Sequence, residues 1–307
     1  MTRFSASRAS SNRGFVIVAV LWLLAALAAL VTVFSVYLSN SARALSVADE
    51  AVQAEGLVSA GVELTAYQLQ LTGEKARPAH GSFHARLSDM DLAVSFVSEA
   101  ARIDLNAAPK ELIAGLLTVL GASAEDAREY AERIIAWRTK AMEDDKGKED
   151  ALYRAAGRAY SPRQAPFAHV NELALVLGLP PALVARALPH LTVFSGAAGV
   201  DALTAAPEVI AALPGMTPLL LKQFLDGRGA LANDKAAIAA ALGPAAASAS
   251  AQQSRAYRIE VRLRFPNGRQ TMSEIVIRLG NEKEEDPYRV LSWQNDVPRL
   301  RRASREF

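Results

Sequence analysis

The chain has no cysteine, which excludes thiol catalysis, zinc–thiolate sites and disulfide stapling, and leaves the compartment open. Histidine is scarce too. His80, His84, His169 and His190 are the only four in 307 residues, thin material for a histidine-based site. Neither sign of charge is in excess. A formal net charge of +2 gives no global electrostatic case for nucleic acid or acidic ligands. The signatures GxSxG, HExxH, the P-loop and the dinucleotide fingerprint are missing as well, so an enzymatic role has no positive support.

Local absences say more. No charge occurs between Arg13 and Arg43, a gap of 29 residues, and within it Phe15 to Phe34 read FVIVAVLWLLAALAALVTVF. Twenty apolar residues in a helix rise about 30 Å, the thickness of the hydrocarbon core. A secretory h-region spans only about 7–15 residues, so this run predicts an anchor rather than a cleaved signal. Arg3, Arg8 and Arg13 precede it without an acid, which keeps that end cytoplasmic and puts the bulk on the far side. No proline comes before Pro78 and no glycine between Gly14 and Gly56. Ala51, Ala54, Val58, Val62, Ala66 and Leu69 recur at helical spacing, with Asp49, Glu50, Gln53 and Glu63 off that stripe. One helix from Phe15 to about Leu71 is expected, roughly 85 Å long, half in lipid and half in a folded domain.

Farther on, Phe83 to Leu87, Leu92 to Val97 and Ala101 to Leu105 have β character. From Asn106 to about Gly243 the pattern turns helical. Helices are expected at Pro109–Leu120, Ser123–Thr139, Val170–Leu177, Pro181–Ala187, Pro207–Leu213 and Pro218–Leu225, four of them opened by proline. Ala236 to Gln253 reads as part helix, part linker. Period two then returns over Tyr257 to Phe265, with a turn at Pro266-Asn267-Gly268, a returning strand at Met272 to Leu279 and a third at Tyr288 to Trp293. A hairpin alone is marginal, so these strands need the N-terminal helix on one face. The expected fold is α+β: a long N-terminal transmembrane helix packed on an antiparallel sheet, with a large all-α domain inserted between early and late strands. An internal echo links Asp104-Leu105-Asn106-Ala107-Ala108-Pro109 with Leu203-Thr204-Ala205-Ala206-Pro207, each read as a loop that starts a helix near Asn106 or Thr204.

The string Arg13-Gly14-Phe15 between a basic leader and an apolar helix resembles type IV pilins and type II secretion pseudopilins. The series RIDLNAAPKELI, IIAWR, NELALVLGLPPAL, PHLTVFSG and TAAPEVIAALPGM looks like the K-type minor pseudopilin of type II secretion systems, a resemblance covering nearly the whole chain. It implies a leader over residues 1–14, cut by prepilin peptidase between Gly14 and Phe15, with methylation of Phe15. It implies a pilin-like helix over 15–76, membrane-spanning over 15–37, and a pseudopilin domain from 77–105 and 254–298. The inserted helical domain is 106–253 and the Arg-rich tail 299–307. Most of the family carry Glu as the fifth mature residue; Ala19 stands there, as is typical of the K type. The implied role is a tip subunit of the pseudopilus in the inner membrane, with its bulk in the periplasm. It would cap and initiate assembly for protein export, in complex with the I-type and J-type minor pseudopilins. The partner surface is expected on the helix stripe Ala51, Ala54, Val58, Val62, Ala66 and Leu69, because such subunits assemble helix on helix.

The acidic stretch Glu143 to Asp150 is the metal candidate: calcium takes clustered carboxylates on a flexible loop. The resemblance implies calcium there, held by Glu149 and Asp150 and by the neighbouring Asp144 and Asp145. Lys146 and Lys148 dilute the charge, and a solvated loop is the competing reading. The hairpins Leu177-Gly178-Leu179-Pro180 and Leu213-Pro214-Gly215-Met216-Thr217 resemble helix-hairpin-helix elements, so a membrane-anchored DNA-binding protein is the alternative. It lacks a basic footprint, since residues 106–250 hold 14 Lys/Arg against 15 Asp/Glu, and Pro180 lacks the N–H that a phosphate would need. No nucleic acid and no small-molecule substrate are expected.

Overall fold

The computed structural model describes residues 13–87, 89–141, 147–231, 234–249, 254–281 and 284–295; for residues 13–15, 42–48 and 74–75 the backbone alone is described. The chain divides into two compact units, Met1–Leu57 and Val58–Phe307. Helix α1 is Arg13–Leu71, followed by the one-turn α2, Gly73–Ala76. The absence of proline and the even spread of helix formers explain its length. Within the first unit, Val16–Ser41 is apolar and long enough to cross a membrane: 26 residues at mean hydropathy 2.9 with none of its surface buried. At 1.5 Å per residue that is about 39 Å.

The second unit is built on a five-stranded antiparallel sheet of order β1-β2-β5-β6-β7. Its strands are β1 His80–Leu87, β2 Met90–Ser98, β5 Ala256–Arg264, β6 Gln270–Leu279 and β7 Tyr288–Gln294. Alternation sets the buried face: Leu92, Val94, Phe96, Ile259, Val261 and Leu263 are buried, and Leu92 pairs with Leu263, Val94 with Val261 and Phe96 with Ile259. The α1 segment of this unit covers that face. Gly61 makes the approach possible, since a Cβ there would meet the Val94 and Val261 methyls at 3.2 and 3.5 Å. The Tyr288 hydroxyl donates to Glu63 at 2.7 Å and Gln70 Nε2 to the Pro287 carbonyl, tying β7 to α1. The architecture is the α+β, pilin-like fold with a helical insert read from the sequence.

β2 and β5 are sheet neighbours, yet the helices fall between them in sequence: α3 Lys110–Val119, α4 Ala124–Arg138, α5 Lys148–Ala155, α6 Pro181–Ala187, α7 Pro207–Ala211, α8 Pro218–Gly227 and α9 Lys235–Leu242. Their core gathers Leu112, Leu116, Ile134, Trp137, Leu183 and Val209, among others. Three expectations are corrected. Ala101–Leu105 supplies no strand to the main sheet; Ile103–Asp104 (β3) instead pairs in parallel with Leu191–Thr192 (β4) of the insert. Val170–Leu175 is 3₁₀ rather than α, with the His169 side chain accepting from Asn171 N. Lys148, Glu149 and Asp150, expected on an acidic loop, instead open α5 after Gly147 turns at φ 82°.

Candidate functional site

The helical stripe splits into two fates. Val58, Val62, Ala66 and Leu69 are 3, 1, 2 and 0% exposed, packed inside the chain itself. Their expected role as a partner surface is therefore corrected: the sheet takes that face. Ala51 is exposed and Ala54 half-buried. The opposite face of the same segment carries what the stripe was expected to offer. Leu64, Tyr67 and Leu71 are exposed at 41, 61 and 66%, spaced three and four apart, so they line one side of α1. The sequence signal was present in these apolar positions but was masked by the stronger stripe beside them.

Gly14 and Phe15 lie in the first turn of α1, where only the backbone is described. Asp144 and Asp145 lie outside the described residues. Glu149 and Asp150 do not sit on the loop but in the first turn of α5, both half-buried. Among the described residues Asp150 Oδ1, which is buried, has no hydrogen-bond partner, an oxygen of the kind a cation satisfies. Among the described residues no three metal-ligating side chains come together. α5 itself is firmly placed. Tyr153 is buried against Trp137 and Tyr160, with ring centroids 6.1 and 5.8 Å away, and its hydroxyl accepts from Leu177 N at 2.9 Å. Burial pushes the Tyr153 phenol up. The hairpin at Gly178 has Arg133 as its neighbouring cation. That guanidinium donates to Leu177 O and pairs with Glu129.

The sequence reading missed a polar node where sheet and insert meet. Glu99 is fully buried just after β2 and accepts from Arg258 Nε at 2.8 Å, Arg102 Nη1 at 3.1 Å and the Thr192 hydroxyl of the insert. Arg258 also bridges to Glu274 on β6 at 2.5 Å. Burial alone would raise the Glu99 carboxyl, but Arg258, Arg102 and Thr192 hold it below its ordinary value. Burial acts to lower the Arg258 guanidinium, and Glu99 and Glu274 more than offset it. A second node is Asp104, which is 1% exposed and accepts from Asn106 N, Ser195 Oγ and Gly196 N at 2.7, 3.1 and 2.7 Å. Asn106 grips the Phe167 backbone in both directions, at 2.7 and 3.0 Å. These are joints, with no reacting group placed against a nucleophile.

Residues 92–196 match the family model of type II secretion system protein K. Among solved structures, a chain of the GspK–GspI–GspJ complex of the type 2 secretion system from enterotoxigenic Escherichia coli is similar at 19% identity. The match covers 80% of this chain and 97% of that one, with a TM-score of 0.60. No curated protein matches the chain. Both comparisons agree with the K-type resemblance read from the sequence: residues 92–196 are similar to type II secretion system protein K, and the chain has the fold of the solved relative.

Proposed function

We propose that this chain, whose residues 92–196 match the model of type II secretion system protein K, is the minor pseudopilin at the tip of the pseudopilus. There it caps the filament and initiates its assembly with the I-type and J-type subunits for protein export. The observation that carries the reading is the exposed apolar stripe Leu64, Tyr67 and Leu71 on the helix whose other face is already buried on the sheet. A second helix can pack ridge-into-groove along it, and a monomer gains nothing by exposing it. The solved relative is a chain of a complex of GspK, GspI and GspJ, and the same class of partner suits this surface. Gly14 and Phe15 are the processing site, and the Val16–Ser41 span holds the protein in the inner membrane with its bulk in the periplasm. Calcium belongs to the same reading: Asp150 Oδ1 and Glu149 would hold it beside Asp144 and Asp145, supplying charge neutralisation at the start of α5.

The test is co-isolation from membranes in which this chain is expressed with tagged I-type and J-type subunits and prepilin peptidase. The wild-type chain should co-purify and begin at methylated Phe15. A Leu64→Asp/Tyr67→Asp/Leu71→Asp variant should be processed alike but be lost from the complex. Retention of that triple variant would overturn the assignment of the surface. An intact leader would overturn the pseudopilin reading.

A further inference from the structure

A cleft of about 700 Å³ opens between the corner of the sheet and the inserted helices. Its floor is Arg77, Ser98 and Tyr257; the loop at Asp201–Thr204, the turn at Arg228–Leu231 and α9 with Lys235 and Ile238 form its walls. The size suits a small molecule or the end of a peptide.

Charge in the cleft is unbalanced. Arg77, Arg228 and Lys235 line it against one carboxylate, Asp201. Both Asp201 oxygens are already engaged, one by Leu203 N at 3.1 Å and the other by the Thr204 hydroxyl at 2.5 Å. Arg77 donates through Nε to Leu69 O at 2.9 Å, and Arg228 through Nη1 to Ala205 O at 2.8 Å. Each guanidinium is thus fixed by one nitrogen, and among the described residues no carboxylate pairs with either, nor with Lys235. Such cations in a concave, partly apolar site concentrate anions.

Tyr257 also lines the cleft; it is fully buried, and among the described residues its hydroxyl has no hydrogen-bond partner. Burial first, with Asp201 in the same sense and Arg77 opposing, pushes the phenol up to about 12. The rest of the lining includes the aliphatic Leu231, Ile238, Ala239 and Ala246 together with His80.

We propose that this cleft binds a small amphipathic carboxylate, its head held by Arg77, Arg228 and Lys235 and its aliphatic part lying on Leu231 and Ile238. Two sources share that chemistry, a free aliphatic acid and the C-terminal end of an apolar peptide. The experiment is calorimetric titration of the full chain in nanodiscs with hexanoate, with hexanamide as the neutral control and empty nanodiscs subtracted. Hexanoate should bind saturably, one per chain. Hexanamide, and hexanoate on an Arg228→Ala/Lys235→Ala variant, should bind at least about tenfold more weakly. Competition by acetyl-leucyl-leucine with a free carboxylate, and not by its amide, assigns the site to a chain end; failure to compete assigns it to a free acid. Equal binding of acid and amide, indifference to the double variant, or no saturable binding overturns the proposal.

Discussion

Glu99 carries more of the structure than any other single side chain, because it is charged, fully buried and shared by the sheet and the insert. A buried ion pair is weak evidence of net stabilisation, but breaking one leaves an uncompensated charge. Glu99→Gln should therefore cost about 3–5 kcal/mol in denaturant unfolding of the full chain, since Arg258 and Arg102 keep their charges and lose their shared acceptor. The pH dependence has a fixed sign. The folded Glu99 carboxyl lies below its ordinary 4.5, so its contribution is complete above pH 4.5 and disappears as pH falls through the lower, folded value. Wild type and Glu99→Gln should converge in stability as acid is added, and a gap that persists at the lowest pH would contradict this. Tyr288 behaves oppositely. Burial and its bond to Glu63 push it up to about 12, so the stabilisation is complete below the ordinary value of 10 and is lost as pH rises through about 12. Tyr288→Phe should flatten that alkaline limb in a pH-melting series.

Between elements, α3 lies close against the end of α7 at Gly115. A Cβ on Gly115 would run into the Ala212 carbonyl oxygen, a backbone atom that cannot rotate aside. Alanine is the better helix former by about 1 kcal/mol, so a loss on Gly115→Ala isolates the clash; about 1–3 kcal/mol is expected by denaturant titration. Gly227→Ala is the control, since nothing lies within 4 Å of a Cβ there, and it should be neutral or slightly stabilising. At the start of α5, calcium should raise the melting temperature of the wild type and not of Asp150→Asn, while an unaffected wild type would remove the metal from the proposal.

Which elements the sequence revealed follows from how local their causes are. Helices opened by proline at their first position, such as Pro181–Ala187 and Pro218–Gly227, announce themselves because the start signal and the apolar spacing are adjacent in sequence. Strands β5 and β6 show through period-two alternation for the same reason. α5 was hidden because it begins at a positive-φ glycine amid charges, with a buried tyrosine as its main tether. β3 was misassigned because its partner, Leu191–Thr192, lies far along the chain. The internal echo was real but out of phase. In each copy an aspartate takes the backbone N–H two residues on, Asp104 from Asn106 and Asp201 from Leu203, and the helix cap follows five residues after it, at Pro109 and at Ala206. Aligning the two prolines shifts the copies by one residue.

For the whole molecule, the topology separates a sheet unit from the material inserted in it. Ser98 and Tyr257 are register partners on neighbouring strands, so β2 and β5 end side by side where the insert leaves and returns. A short connection can close that gap. Replacing residues 103–253 with a glycine-rich turn keeps the Glu99–Arg258–Glu274 bridges and the helix-covered face, whose core of Val62, Leu69, Val94, Val261 and Ile275 comes from α1 and the sheet. It removes the Thr192 hydrogen bond to Glu99 and the Asp201 N–H bond to Ala100 O. The shortened chain should therefore retain protected amides in β2, β5 and β6 by hydrogen exchange, with a lower melting temperature than the full chain. It should also keep the Leu64, Tyr67 and Leu71 stripe and so still co-isolate with the I-type and J-type subunits. If the insert's bulk caps the filament as proposed, the pseudopilus should then lose its defined end and lengthen. Loss of strand protection would instead make the insert an obligatory part of the sheet's core, and the two-part reading of this unit would fail.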